Sequence, residues 1–159
     1  MKSSQFALLV AGIAVACSAA PAAADGPFGA IGGTWTGRGQ IHLEGGRKED
    51  IRCNAYYTPK DNGASMGLAI RCASPDYKIE LRSQLLHDGR QITGHWEERT
   101  FNAAGDVVGK ASPNQIQLQI TGSAVTGSMS VQTTGSSQTV SISTSGSTLQ
   151  GVSIRLQRS

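Results

Sequence analysis

The stretch "EDIRCNAYYTPKDNGASMGLAIRCAS", residues 49–74, carries the triplet Ile-Arg-Cys at 51–53 and again at 70–72. Polar and apolar residues alternate on both sides of Asn62-Gly63, a pair that favours a chain reversal, so the segment reads as two antiparallel strands. Folding it about Asp61–Ala64 sets Cys53 opposite Cys72, Ala55 opposite Ile70 and Tyr57 opposite Leu68. A two-residue loop would put Pro59 where a backbone donor is needed. The four-residue loop keeps the register, frees Pro59 of that duty and makes the cysteines a close, non-hydrogen-bonded pair suited to a disulfide. A metal site would need further ligands nearby, and this stretch offers none.

The same strand-and-turn pattern continues outward. No segment after residue 32 sustains a 3.6-residue apolar period; short alternating runs separated by Gly, Asn, Asp, Ser and Pro fill the chain. About ten strands are expected, near 33–43, 48–58, 65–73, 77–86, 91–101, 106–112, 115–121, 124–133, 138–144 and 148–157. Short connections imply antiparallel neighbours in chain order, because parallel crossovers need a dozen or more residues. Such an all-β meander, with one apolar face, is expected to close into a barrel and so remove its edges; a flattened barrel or β-sandwich is the alternative. The inverted design, an outer-membrane barrel, is disfavoured by two Trp and three Tyr, too few for aromatic girdles.

Short loops at Gly45–Arg47, Ala73–Asp76 and Asp88-Gly89 predict two inward rows across the first five strands. One is Trp35–Tyr57–Leu68–Leu81–Trp96 and the other Gly37–Ala55–Ile70–Ile79–Glu98. A loop at 103–106 would bring Gly109 and Ala111 beside Glu98. Residues 111–154 contain no Asp, Glu, Lys or Arg, and their outward positions are Gln, Ser and Thr. An uncharged face of that kind suits carbohydrate or flat protein contact.

The first residues, "MKSSQFALLVAGIAVACSAAPAAADGP", have the layout of a secretory leader: one Lys, an apolar run, then Ala22-Ala23-Ala24. The expected organisation is a leader over 1–24 cleaved after Ala24, an arm over 25–32 and a barrel domain over 33–159, in the periplasm or outside the cell. Acylation at Cys17 is the alternative. The apolar run is too short to span a bilayer, and no later segment is long and apolar enough for a membrane-spanning helix. With Lys2 removed, 13 basic residues face 11 acidic ones. That balance, with no basic cluster along the chain, argues against nucleic acid. Cys53 and Cys72 then remain, as expected of a disulfide in an exported chain.

"GGTWTGRGQIHL", residues 32–43, resembles the Gly-x-Trp opening strand of lipocalins and their calycin relatives. The resemblance implies a calycin-like barrel in which Trp35 lies at one end under an arginine of the last strand, Arg155 or Arg158. Across nearly the whole chain after the leader, the order "GTWTGRGQI…IRCNAYY…LAIRCASPDYKIEL…ITGHWEERT…GKASPNQIQ…VSIRL" is similar to a family of small exported proteins of alphaproteobacteria, rhizobia especially. Where that family often has Trp-Ser-Glu, this chain has Trp96-Glu97-Glu98. The resemblance implies fold and compartment and carries over no catalytic or ligand residue.

Few residues offer chemistry. "GASMG", 63–67, has the letters of a nucleophile elbow but lies at a hairpin tip with no following helix. His42, His87 and His95 fall on outward positions or a turn, too far apart to share a metal. Glu98 is the one charge that the expected register puts on the apolar face. It is either a ligand-orienting carboxylate or a satisfied residue at the barrel mouth. The expected function is therefore non-enzymatic binding, without cofactor or metal, of an apolar small molecule or an envelope component. The candidate ligand contacts are Trp35, Tyr57, Tyr77, Trp96 and Glu98. A protease or lysozyme inhibitor would instead present a protruding segment such as 25–33, and a structural envelope protein would associate through the uncharged face.

Overall fold

The structure, a computed structural model, describes residues 26–159. The expected leader, its cleavage after Ala24 and Cys17 lie outside the described residues. Ten strands follow: β1 (Gly33–Leu43), β2 (Lys48–Lys60), β3 (Ser65–Ala73), β4 (Lys78–His87), β5 (Ile92–Glu98), β6 (Ala103–Ser112), β7 (Gln115–Gly122), β8 (Thr126–Thr134), β9 (Ser137–Ser145) and β10 (Leu149–Arg158). Each pairs antiparallel with the next, and β10 returns to β1, so the barrel is closed and neither sandwich nor open edge remains. The apolar face points inward, with Ile41, Ile70, Ile92, Val140, Ile154 and Leu156 all buried, the reverse of a barrel that faces lipid.

The β2–β3 register is as the opening stretch predicts. Cys53 faces Cys72 and the two are joined by a disulfide, with Cα atoms 4.1 Å apart. Three neighbouring hairpins differ from expectation by two residues each. Trp35 faces Ala55 rather than Tyr57, Ile70 faces Leu81 rather than Ile79, and Leu81 faces Glu98 rather than Trp96. The cause is turn geometry. Asp88 Oδ1 accepts from the amides of Arg90 and Gln91, both at 2.9 Å, and this turn spans 88–91 instead of Asp88-Gly89 alone. Those amides, Gln91 foremost and then Arg90, also lower the Asp88 pKa. In the 74–77 turn the Ser74 hydroxyl accepts from the Tyr77 amide at 2.9 Å. Gly45 and Gly46, with φ of 74° and 76°, lengthen the first turn. A shift of two keeps every side chain on its face, so hydrophobic patterning does not resist it.

The corrected rows are Trp35–Ala55–Ile70–Leu81–Glu98–Ala103 and Tyr57–Leu68–Ser83–Trp96–Gly105. Strands of a closed barrel tilt and stagger, so the row that begins near one end at Trp35 reaches the other end at Glu98. The two ends are built differently. One is filled. Residues 26–31 lie across it, held by the Gly26 amide on Asn62 O (2.7 Å) and the Phe28 amide on Gly63 O (3.2 Å). A β-carbon on Gly26 would lie 2.3 Å from the Gly63 carbonyl carbon, so only glycine lets the two backbones touch. Phe28 and Ile31 are buried there. This arm is an inserted plug, not the protruding segment that an inhibitor would present.

Trp35 lies above the plug, fully buried, its Nε1 donating to Ile31 O at 2.9 Å. Arg158 covers its ring at 4.3 Å and donates to Ala30 O at 2.6 Å and to Gly32 O. Of the two candidate arginines, Arg158 therefore takes the calycin position, while Arg155 is exposed on the outer wall. Tyr57 meets Trp35 edge-on at 6.5 Å between centroids, a diagonal contact that the two-residue shift leaves in place.

Candidate functional site

The opposite end contains an apolar cavity of about 170 Å³. Its walls come from β4 (Ile79, Leu81), β5 (Trp96, Glu98), β6 (Ala103), β7 (Ile120), β9 (Ile142) and β10 (Val152), and its rim from Phe101 and 147–149. Inward alternation puts these side chains there: positions 79 and 81, like 96 and 98, occupy the same face of their strands. Phe101 is 53% exposed, a large apolar side chain at the mouth.

Glu98 is 9% exposed and both its oxygens are occupied. Oε1 accepts the Glu80 amide at 2.6 Å and Oε2 the Phe101 amide at 2.7 Å. Strand β5 ends at Glu98, and the chain turns through 99–102 with Asn102 at φ 51°. The Arg99 amide still reaches Glu80 O (3.1 Å), but the Glu80 N–H finds its acceptor in the Glu98 carboxylate. Buried backbone donors need acceptors, and the carboxylate supplies two where the ladder stops. Glu98 is thus the satisfied mouth residue, fixing the rim that carries Phe101.

Of the five expected ligand contacts, Trp96 and Glu98 line the cavity. Trp96 is anchored by Nε1 donating to Thr121 O at 3.3 Å. Trp35 and Tyr57 belong to the filled end. The Tyr57 hydroxyl donates to Gln138 Oε1 at 2.6 Å, and burial pushes its pKa well above the usual tyrosine value. Tyr77 is half-buried on the 74–77 turn, its hydroxyl accepting from Arg47 at 3.3 Å. The small residues expected to frame the site do not. Gly37 pairs with Cys53 and Leu156, and a β-carbon on it would lie 1.9 Å from Arg155 O, so β10 backbone takes that space. Ala55 is fully buried beside Trp35, and Gly109 faces Ile92 and Leu118, because the β5–β6 turn is 99–102 and not 103–106.

Three inward polar residues were missed. Ser83 is 6% exposed and donates to His95 O at 2.8 Å. Gln138 is 2% exposed and links Tyr57 to Thr133 Oγ1 (3.1 Å); its spacing from Val140 and Ile142 already marked it as inward. Glu49, across from Ile41, is a second carboxylate on the inner face, and alternation from Ile51 could have found it. Its Oε1 is buried without a hydrogen-bond partner. Elsewhere, His95 lies 3.3 Å from Asp106 on the outer wall, and Ser65 of the elbow-like letters donates to Asp61 in its turn. Among the described residues no group of three or more His, Cys, Asp or Glu is placed to hold a metal, and no helix is long and apolar enough to cross a membrane.

No protein-family model matches the chain, and no curated protein matches it significantly. Solved structures do share the fold. Rv2717c from M. tuberculosis is 14% identical, with a TM-score of 0.64 over 84% of this chain and 93% of that one. The S-type phycobiliprotein lyase CPES from Guillardia theta is 11% identical, with a TM-score of 0.59 over 83% of this chain and 90% of that one. At these identities the likeness establishes the calycin-like barrel and nothing further.

Proposed function

We propose that this is an exported, non-enzymatic binding protein that admits a small apolar molecule at the mouth formed by Trp96, Phe101 and Leu149. The supporting observation is the cavity itself: apolar walls and an exposed aromatic rim, at the end of the barrel opposite the buried Phe28, Ile31 and Trp35. A dry apolar cavity of roughly 150 Å³ accepts a benzene-sized guest, whereas drug-sized ligands take about 300–1,000 Å³. The ligand is accordingly one ring or a short branched chain, or the end of a larger molecule whose remainder stays outside. A barrel-fold neighbour that is a phycobiliprotein lyase leaves catalysis open on fold grounds. Binding is preferred because Glu98, the acid at the cavity, has both oxygens committed to backbone amides. Export is supported by the disulfide, a bond that persists in oxidising compartments.

The test is xenon or benzene binding followed by NMR shifts of the Ile79, Leu81 and Val152 methyl groups. Ala103→Phe, which fills the cavity, should abolish those shifts while leaving the spectrum of the plugged end intact. Unshifted methyl groups in the wild-type protein at saturating benzene would refute the proposal.

A further inference from the structure

Barrel closure assembles a feature that the linear sequence disperses. Arg38 of β1 faces Arg52 of β2 on one side and Arg155 of β10 on the other. All three are exposed, so three arginines stand side by side on adjacent strands of the outer wall. Directly opposed residues on antiparallel strands have Cα atoms only about 4.5–5.5 Å apart, and like charges so placed repel. No ion pair neutralises them: among the described residues none of the three has a carboxylate within ion-pair distance. Asp50, the acid flanking Arg38, accepts instead from Gln40 Nε2 at 2.9 Å. Beyond Arg155 the row continues into Thr139, on the uncharged face. Beside it runs an open groove of about 710 Å³, with Arg38, Arg52 and the Gln40-bonded Asp50 on one side and Ser74 and Pro75 on the other.

We infer that this wall is a binding site for a phosphate-bearing ligand, separate from the apolar cavity. Guanidinium forks match the oxygens of a phosphate group in pairs, and a doubly charged oxyanion removes the repulsion among three aligned arginines. A single carboxylate would offset only part of it. The groove then accommodates the rest of the molecule. The phosphate belongs either to a free small molecule or to a lipid headgroup.

Two probes distinguish these sources: inorganic pyrophosphate followed by calorimetry, and neutral vesicles with and without phosphatidic acid followed by co-sedimentation. Binding of pyrophosphate supports a free phosphate ligand; binding of phosphatidic acid vesicles alone supports a headgroup. Arg38→Gln, at the centre of the row, should weaken whichever binding is seen by roughly ten- to a hundredfold, as expected for a lost charge-assisted contact. Without any anion the same variant should melt at a higher temperature, because the central like charge is gone. Arg90→Gln, on the 88–91 turn away from the row, should change neither. The inference is overturned if both probes fail to bind, if Arg38→Gln binds as tightly as wild type, or if Arg38→Gln melts lower without anion.

Discussion

Replacing Glu98 with glutamine removes one acceptor from a pair of backbone donors that depend on it. The carboxylate holds the Glu80 amide at 2.6 Å and the Phe101 amide at 2.7 Å. Glutamine has nearly the same shape, so no cavity forms. Its single carbonyl oxygen keeps one amide, while its NH₂ group faces the other donor. One charge-assisted bond is lost, worth about 1.5–3 kcal/mol, and the survivor becomes a weaker neutral one. The expected loss is about 2–4 kcal/mol in a urea melt, or roughly 6–14 °C in Tm for a domain of this size. Glu97→Gln is the control: its side chain is exposed on the outer wall, and surface changes of that kind stay within about 0.5 kcal/mol. Hydrogen exchange supplies a second readout, since the Phe101 amide should lose protection in Glu98→Gln while amides of the plugged end keep theirs. A loss no greater than that of Glu97→Gln would mean that Glu98 does not hold the rim, and the reading of the mouth would fall with it.

Other expectations concern the filled end and the disulfide. Phe28→Ala should cost about 3–5 kcal/mol in the same melt, as for a buried aromatic truncated in a core, whereas a surface arm would cost almost nothing. Tyr57 has a folded-state pKa above its unfolded value because burial disfavours the phenolate. Its contribution is fully present below the unfolded pKa of about 10 and is lost as pH rises from there toward the folded value. Tyr57→Phe should therefore be less stable at neutral pH, with Gln138 left short of a donor, yet show a shallower decline in Tm above about pH 10. Replacing Cys53 and Cys72 together by alanine should destabilise by about 3 kcal/mol, the chain-entropy value for a loop of this length. A reduced wild-type protein that melts like the oxidised one would contradict this.

Alternation alone carried the fold a long way. Inward and outward positions on most strands, the strand spans and the Cys53–Cys72 pairing follow from period-two patterning and one well-marked turn, because a slip of one residue would expose the core. Slips of two leave that pattern unchanged, so the sequence did not discriminate between Trp35 facing Tyr57 and Trp35 facing Ala55. Hydrogen bonds inside the turns made that choice, such as Asp88 with Arg90 and Gln91 or Ser74 with Tyr77, and with it which residues share the cavity. Gly37 shows the same limit. Its smallness was legible, but whether a ligand or β10 backbone fills the space depends on how strands far apart in the chain come together. The arginine row is completed by closure: the β1–β2 hairpin sets Arg38 beside Arg52, and Arg155 joins them only because the last strand pairs with the first, a contact that no local pattern encodes.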